Sequence, residues 1–451
     1  MGKDGFNLAA GRPGVTETGS AGSRASWHGP LLACALAASL VLRVAFSFGY
    51  WTGKPLTWDE QEYLLLAESL AGGRGFHYPD PQEGAAAKRF ERPPGFPVAL
   101  AAVLVGTRAA VPDSWLAGRE LASWLTQDSS SVPPSIRLGQ AFLGSLVVLL
   151  IAGLARRAAG RVAGVAAAWL AAVYPPLVWV CAYVLSEPLY SVLALSTALL
   201  LAAATSNDVR RPRLVAFVAG LAAALAVLTR EAMLLFLPLA FIWLLWRRKL
   251  ALAALLAAGA VCGLAPWAAR NFAADRTFRL SAARGGINFW IGNNPLARGE
   301  GDMAANPEVK RASLALEAAH PGASPAEMDR VYYREAFDYI AREPVSWAKL
   351  LGRKLFYTVV PAGPSYTLRS PRYMYASVAS YGLLFIAAIP GAAWLARKRR
   401  GPWSLWILGA SAVLTNLVFF PQERFRIPVI DPVLIVCASA WMAAWAERRL
   451  R

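Results

Sequence analysis

Charge is scarce in this chain. Of 451 residues only 16% are Asp, Glu, Lys or Arg, whereas 56% are hydrophobic. A soluble domain of this length needs far more charge to cover its surface. Cysteine and histidine are scarcer still. Cys34, Cys181, Cys262 and Cys437 fall in or beside apolar runs, with no CxxC or other paired spacing, so neither a disulfide framework nor a zinc site is indicated. His28, His77 and His320 are too scattered to hold a metal together. There is no Walker-type phosphate loop and no dinucleotide fingerprint behind a strand, and Gly72-Gly73-Arg74-Gly75 reads only as a turn.

What is present is long apolar runs with bases between them. The formal net charge of +18 suggests a nucleic-acid binder at first sight. The bases instead sit in short clusters between the runs, which is the pattern of membrane topology. About 20 apolar residues cross a bilayer core. Runs at 30–49, 136–155, 162–178, 183–204, 214–228, 232–246, 250–268, 373–396, 403–420 and 427–445 give an all-α polytopic membrane protein of ten spans. The run 94–105 is too short to span and reads as a re-entrant or interfacial helix. If it does not cross, the basic clusters at 156–157, 210–213, 247–249, 397–400 and 448–451 all share one face. The positive-inside rule makes that face cytoplasmic, together with the N-terminus, in an inner or plasma membrane.

Four regions follow. Residues 1–29 are polar and Gly/Ser-rich, expected as a disordered cytoplasmic tail. The run behind them lacks a small-residue cleavage site and is expected to be a retained first helix. Residues 30–269 carry spans one to seven with an outer loop at 50–135, residues 270–372 form a small α-rich outer segment, and 373–451 hold the last three spans. Within the outer segment, Ser324-Pro325-Ala326-Glu327 is a capping-box pattern opening a helix. The stretch 345–360, with Lys349, Arg353 and Lys354, reads equally as a helix on the membrane surface or as one packed on its own domain.

A charge at membrane depth is costly, so ionisable residues near spans carry a functional hypothesis. In this topology Asp59, Glu60, Arg92, Glu187, Arg230, Glu231, Arg270, Arg424 and Arg426 map to outer span ends or outer loops. Arg43 lies within the first run, close enough to its end to snorkel. Together they outline a charged, outward-facing cavity. Arg424 and Arg426 share one very short outer loop, against the positive-inside bias. Phosphate would suit them through bidentate hydrogen bonds; an ion pair with Glu423 or Glu187 would suit them too. Asp59, in Trp58-Asp59-Glu60-Gln61-Glu62-Tyr63, is placed either to take a proton from a hydroxyl or to decorate a helix N-terminus.

Five motifs in order resemble one family. Trp58-Asp59-Glu60 with Tyr63, then Glu91-Arg92-Pro93-Pro94-Gly95-Phe96-Pro97, resemble the first outer loop of GT-C glycosyltransferases, in the branch of protein O-mannosyltransferases and lipid A aminoarabinose transferases (family 39 type). Ser186-Glu187-Pro188-Leu189-Tyr190, Pro266-Trp267-Ala268-Ala269-Arg270-Asn271 with Gly292-Asn293-Asn294-Pro295-Leu296-Ala297, and Arg424-Phe425-Arg426-Ile427-Pro428 continue it. The resemblance implies a GT-C-like fold and transfer of a sugar, with inversion, from a polyprenyl-phosphate lipid to a hydroxyl acceptor on the extracytoplasmic face. It implies Asp59 as the base on the acceptor, with Glu60 and Glu187 as further acids. Arg92, Arg270, Arg424 and Arg426 would hold the donor phosphate, and Tyr63, Asn293 and Asn294 are substrate-binding candidates. No cofactor is expected; a divalent ion at Asp59 and Glu60 is conceivable but is not predicted. The partners are the lipid-linked donor, membrane lipid and an unknown acceptor, with no nucleic acid. A lipid-substrate flippase and a non-catalytic assembly subunit remain as rival readings, although no internal repeat marks a transporter.

Overall fold

Backbone amides in lipid must find partners within their own segment, which a helix provides at every residue. The computed structural model describes residues 28–77, 92–110, 132–276, 278–280, 285–301, 303, 305–360, 371–398 and 401–449, and among them it is helical with no strand. The sequence expectations for the tail and for Glu91 lie outside the described residues. Seven helices are long and apolar enough to cross a membrane. They are α1 (His28–Ala45, extended by a π turn to Tyr50), α4 (Pro134–Val173), α6 (Glu187–Thr205), α7 (Pro212–Thr229), α9 (Leu250–Asp275), α14 (Pro371–Arg397) and α16 (Ile430–Arg449). Between them come α2 (Trp58–Ala71), α3 (Gly95–Ala110), α5 (Pro175–Trp179), α8 (Phe236–Trp246), α10 (Gly285–Gly292), α11 (Pro307–Ala318), α12 (Pro325–Arg342), α13 (Pro344–Val359) and α15 (Trp403–Val418). The protein is a multi-pass integral membrane protein.

The 40-residue α4 is really two arms. Straight, it would reach about 60 Å, twice a hydrocarbon core. Ala159 leaves helical geometry and Gly160 takes φ +89°, a left-handed conformation that suits glycine. A Cβ on Gly164 would lie 3.1 Å from the Arg156 Cβ and 3.2 Å from the Ala152 carbonyl, so the second arm folds back along the first. The first arm holds the run 136–155 read from the sequence, and the second holds most of the run 162–178, whose last residues form α5. The run at 94–105 becomes α3, whose 16 residues reach about 24 Å, short of a full crossing.

The helix ends sort into two groups. Gln140, near the start of α4, donates to the Tyr183 and Leu185 carbonyls at 2.9 Å, and Arg137 donates to the Ser47 carbonyl at 2.7 Å. The exits of α1 and α5 and the entry of α6 therefore share one end of the bundle. At the other end Lys249 donates to the Thr205 carbonyl at 2.8 Å, which brings the 205–213 and 247–249 turns together. The basic clusters at 210–213 and 247–249 thus gather opposite the loops that carry Asp59, Glu187 and Arg424.

Packing in the bundle relies on small residues, as expected where lipid provides no hydrophobic drive between helices. A Cβ on Gly220 of α7 would fall 2.1 Å from the Leu256 carbonyl, and one on Gly259 of α9 would fall 2.1 Å from the Phe217 carbonyl. The two backbones touch directly. Arg43 departs from the snorkelling expectation. It is fully buried and donates to Ser39 Oγ at 2.7 Å and to the Ala172 and Ala171 carbonyls at 3.3 and 3.4 Å. Those carbonyls end the second arm of α4, where the helix dipole favours a cation.

Residues of α10–α12 close over a second, small core of Trp290, Ile291, Val309, Tyr332 and Ala336. The Ser324–Glu327 capping box is formed as the sequence pattern indicated. Helix α13 presents Lys354 inward, where its Nζ donates to Asn293 Oδ1 at 3.0 Å and to the Leu417 carbonyl at 2.9 Å. Desolvation pushes this ammonium down to about 7. Lys349, Arg353 and Phe356 face outward.

Candidate active site

The site begins with a helix cap. Thr57 caps α2, and Glu60 closes the box by accepting from Thr57 N and Oγ1, both at 2.8 Å, through one carboxylate oxygen. Its other oxygen accepts from Val184 N at 2.9 Å. Both oxygens of Glu60 are thereby committed, and burial raises its pKa. Glu60 thus faces the cap and not Asp59, because one residue along a helix is a turn of about 100°. The cap fixes α2 so that Asp59 and Glu62, three apart, share the opposite face.

On that face the charges alternate. Arg92 donates through Nε to Glu62 at 2.6 Å and through a terminal nitrogen to Asp59 Oδ1 at 2.5 Å. Arg424 donates to Asp59 Oδ2 at 2.5 Å. The Arg424 Nε lies 3.7 Å from Glu187, which pairs with Arg230 at 2.8 Å. The order is Glu62, Arg92, Asp59, Arg424, Glu187, Arg230: three acids and three bases with no formal net charge. The Arg92 guanidinium also lies over the Tyr63 ring at 5.2 Å, and Arg230 lies over Phe425 at 4.4 Å. Tyr63 is steadied by an edge contact with Phe96 and a 3.5 Å hydrogen bond to Ser186.

Each element is held close. Gly95, two residues past Pro93, meets the end of α7 so tightly that a Cβ would lie 2.6 Å from Thr229 Oγ1 and 2.9 Å from the Leu228 carbonyl. That contact ties the start of α3, three residues past Arg92, to the end of α7 just before Arg230. Burial alone would raise the Asp59 pKa, but Arg424 and then Arg92 outweigh it and hold the carboxyl well below the usual carboxylate range. In return Asp59 lifts both guanidinium groups above their ordinary values, against the opposing effect of burial. Asp59 is 22% exposed, so a small molecule can reach it.

Other expected residues lie elsewhere. Arg270 donates to Asn271 Oδ1 at 3.1 Å and stacks over Trp267 at 4.8 Å and Phe76 at 5.8 Å. Arg426, only 2% exposed, points into the bundle, with its guanidinium over Tyr381 at 4.0 Å and its Nε 3.9 Å from Asp431. The tight turn at Glu423–Phe425 rotates the chain by about 120° per residue, so Arg424 and Arg426, two apart, point different ways. Asn293 and Asn294 are buried braces. Asn293 donates to the Phe289 and Val418 carbonyls and accepts from Trp347 and Lys354. Asn294 closes the end of α10 by donating to the Trp290 carbonyl and accepting from Leu296 N. Two members of the chain were not among the site residues expected from the sequence. Glu62 was signalled by its spacing of three from Asp59, and Arg230 by its position at an outer span end.

Comparison with known proteins agrees with this architecture. Residues 122–269 match the family model of dolichyl-phosphate-mannose-protein mannosyltransferases. Among curated proteins no sequence matches. The archaeal oligosaccharyltransferase AglB from Archaeoglobus fulgidus, solved with an inhibitory peptide and a dolichol-phosphate, superposes with a TM-score of 0.55 at 15% identity, over 94% of this chain and 51% of that one. The chain thus spans about half the length of that protein. ArnT from Cupriavidus metallidurans, bound to undecaprenyl phosphate, gives a TM-score of 0.40 at 15% identity, over 94% of this chain and 79% of that one. The resemblance first read in the loop motifs is therefore borne out: this chain is GT-C-like in its helical fold and, over residues 122–269, carries the sequence pattern of the mannosyltransferase family.

Proposed function

We propose that the chain is a glycosyltransferase that moves a sugar from a polyprenyl-phosphate donor to a hydroxyl acceptor, inverting the anomeric carbon. The observation that carries this reading is Asp59 held between Arg92 and Arg424, one guanidinium on each oxygen. A phosphate is the ligand that two such forks suit best, and a carboxylate between them is the group it must compete with. As the donor phosphate takes the arginines, Asp59 loses its clamp and its pKa rises toward that of a working base.

The acceptor oxygen then attacks the anomeric carbon from the face opposite the phosphate. The bond from that carbon to the phosphate oxygen breaks, its electron pair stays on the phosphate, and the hydroxyl proton passes to Asp59. Arg92 and Arg424 stabilise the charge gathering on the leaving phosphate, a contribution of several kcal/mol in comparable sites. Glu187 and Arg230 keep Arg424 aligned. Arg270, over Trp267 and Phe76, lies outside the chain of ion pairs and is assigned no catalytic part. The site end of the bundle is taken as extracytoplasmic, and the end with the basic clusters and the N-terminus as cytoplasmic, in an inner or plasma membrane. AglB and the mannosyltransferase family supply the precedent for a lipid-phosphate substrate in this fold.

The test is a mass-spectrometric comparison of envelope and protein glycans from cells lacking the chain and from cells complemented with wild type or Asp59→Asn. A glycan restored by wild type and not by a folded D59N protein supports the enzyme. Restoration by both would leave a scaffold, and equal glycans with accumulation of a lipid-linked precursor on one leaflet would point to a flippase.

A further inference from the structure

A second cluster of cations lies away from Asp59. Helix α13 is tied across the end of α15 by Lys354, which reaches the Leu417 carbonyl, and by Trp347, which donates to Asn293 at 3.0 Å. Because Arg424 follows the same end of α15, α13 lies at the site end of the bundle. Its outer face exposes Val345, Leu355 and Phe356 together with Lys349 and Arg353. Lys349 and Arg353 stand one turn apart, a like-charge spacing that is unfavourable without an anion.

A third cation completes the group. Arg298 reaches the same place from the loop after α10, where Gly299, at φ +97°, packs so close that a Cβ would lie 2.7 Å from the Arg353 Cβ. Among the described residues the only carboxylate paired with these three bases is Glu308, 3.0 Å from Arg298. Between the bases Gly352 leaves the opening clear, with nothing within 4 Å of where a side chain would start.

We propose that the resulting cavity of about 510 Å³, walled by Arg298, Lys349, Gly352, Arg353, Phe356 and Tyr357, binds the phosphate of an anionic bilayer phospholipid. The bases take the phosphate oxygens, the aromatic rings pack on the glycerol and upper acyl carbons, and exposed Leu355 and Phe356 continue into the lipid. Such a lipid fixes the outer segment against the membrane, independently of the chemistry at Asp59.

The experiment is native mass spectrometry of the full-length protein released from micelles doped with phosphatidylglycerol or phosphatidylcholine. Wild type is expected to retain phosphatidylglycerol preferentially. Lys349→Gln with Arg353→Gln should cut retention by roughly fivefold per charge, about 25-fold together. Gly352→Glu places a carboxylate in open space without removing any contact and should abolish retention even if the double variant is poorly folded. Equal retention of both lipids by wild type, or undiminished phosphatidylglycerol on the G352E protein, would overturn the proposal. So would displacement of phosphatidylglycerol by equimolar polyprenyl phosphate, which would make the cavity part of the donor site.

Discussion

Replacing Asp59 with asparagine separates the two roles assigned to this residue. The carboxylate accepts one hydrogen bond of 2.5 Å on each oxygen, from Arg92 and from Arg424. An amide of the same shape offers one oxygen and turns an N–H₂ toward the other guanidinium. Arg92 still has Glu62 at 2.6 Å, whereas Arg424 is left with Gln422 at 3.3 Å and Glu187 at 3.7 Å. The six-residue chain goes from neutral to +1. Loss of a charge-assisted bond costs about 1.5–3 kcal/mol when buried, and less here because both partners are about one-fifth exposed. The protein should therefore fold with a modestly lowered Tm. Transfer, read as the glycan restored in complemented cells, should fall by about 10²–10⁴ as the base is lost. Binding of polyprenyl phosphate to purified protein should move the other way, tightening by on the order of tenfold because the arginines have no internal carboxylate to leave. A folded variant that transfers within about threefold of wild type, or whose lipid affinity drops in step with transfer, would refute the reasoning.

Three further outcomes are expected. Glu60→Gln keeps an acceptor for the Thr57 cap, so it should cost about 1 kcal/mol in stability and leave transfer within about fivefold of wild type; a loss as deep as that of D59N would make Glu60 a participant. Lys354 is held at about 7, against 10.5 in an unfolded chain. Between those values the unfolded state binds a proton that the folded state refuses, so stability should rise with pH from about 7 to 10.5 and level off below 7. Tm measured across that range should show the slope in wild type and lose it in Lys354→Met. Gly220→Val drives a side chain into the Leu256 carbonyl, and a fall of about 1–3 kcal/mol or more in unfolding free energy is expected, measured by thermal melting in detergent.

The greasy helices were legible because length and composition are local properties, and the ten apolar runs fall mainly in helices. Asp59, Arg92, Glu187 and Arg424 were legible because each sits at a loop or helix start where charge is conspicuous. What the sequence did not show is rotation. Glu60 adjoins Asp59 but faces the Thr57 cap, and Arg426 is two residues from Arg424 but faces Tyr381 and Asp431. Which way a helix or loop turns depends on the element packed against it, and no run of residues states that. Asn293 and Asn294 illustrate the same limit, since a short amide in a loop serves backbone groups as readily as a ligand. Arg43 was misplaced because α4 doubles back, bringing carbonyls to it from residues 128 and 129 positions away.

The glycines between α7 and α9 have a mechanical consequence. With side chains removed from the seam, there is no layer of rotamers to absorb sliding, and the pair behaves as one stiff strut. Arg230 is mounted at the tip of that strut, and Gly95 is wedged against the same tip through Thr229 and Leu228. The wall carrying Arg92 and Arg230 is consequently a fixed datum. The facing segment around Gln422 and Arg424 meets that wall through the Asp59–Arg424–Glu187 ion pairs and the stack of Arg230 on Phe425.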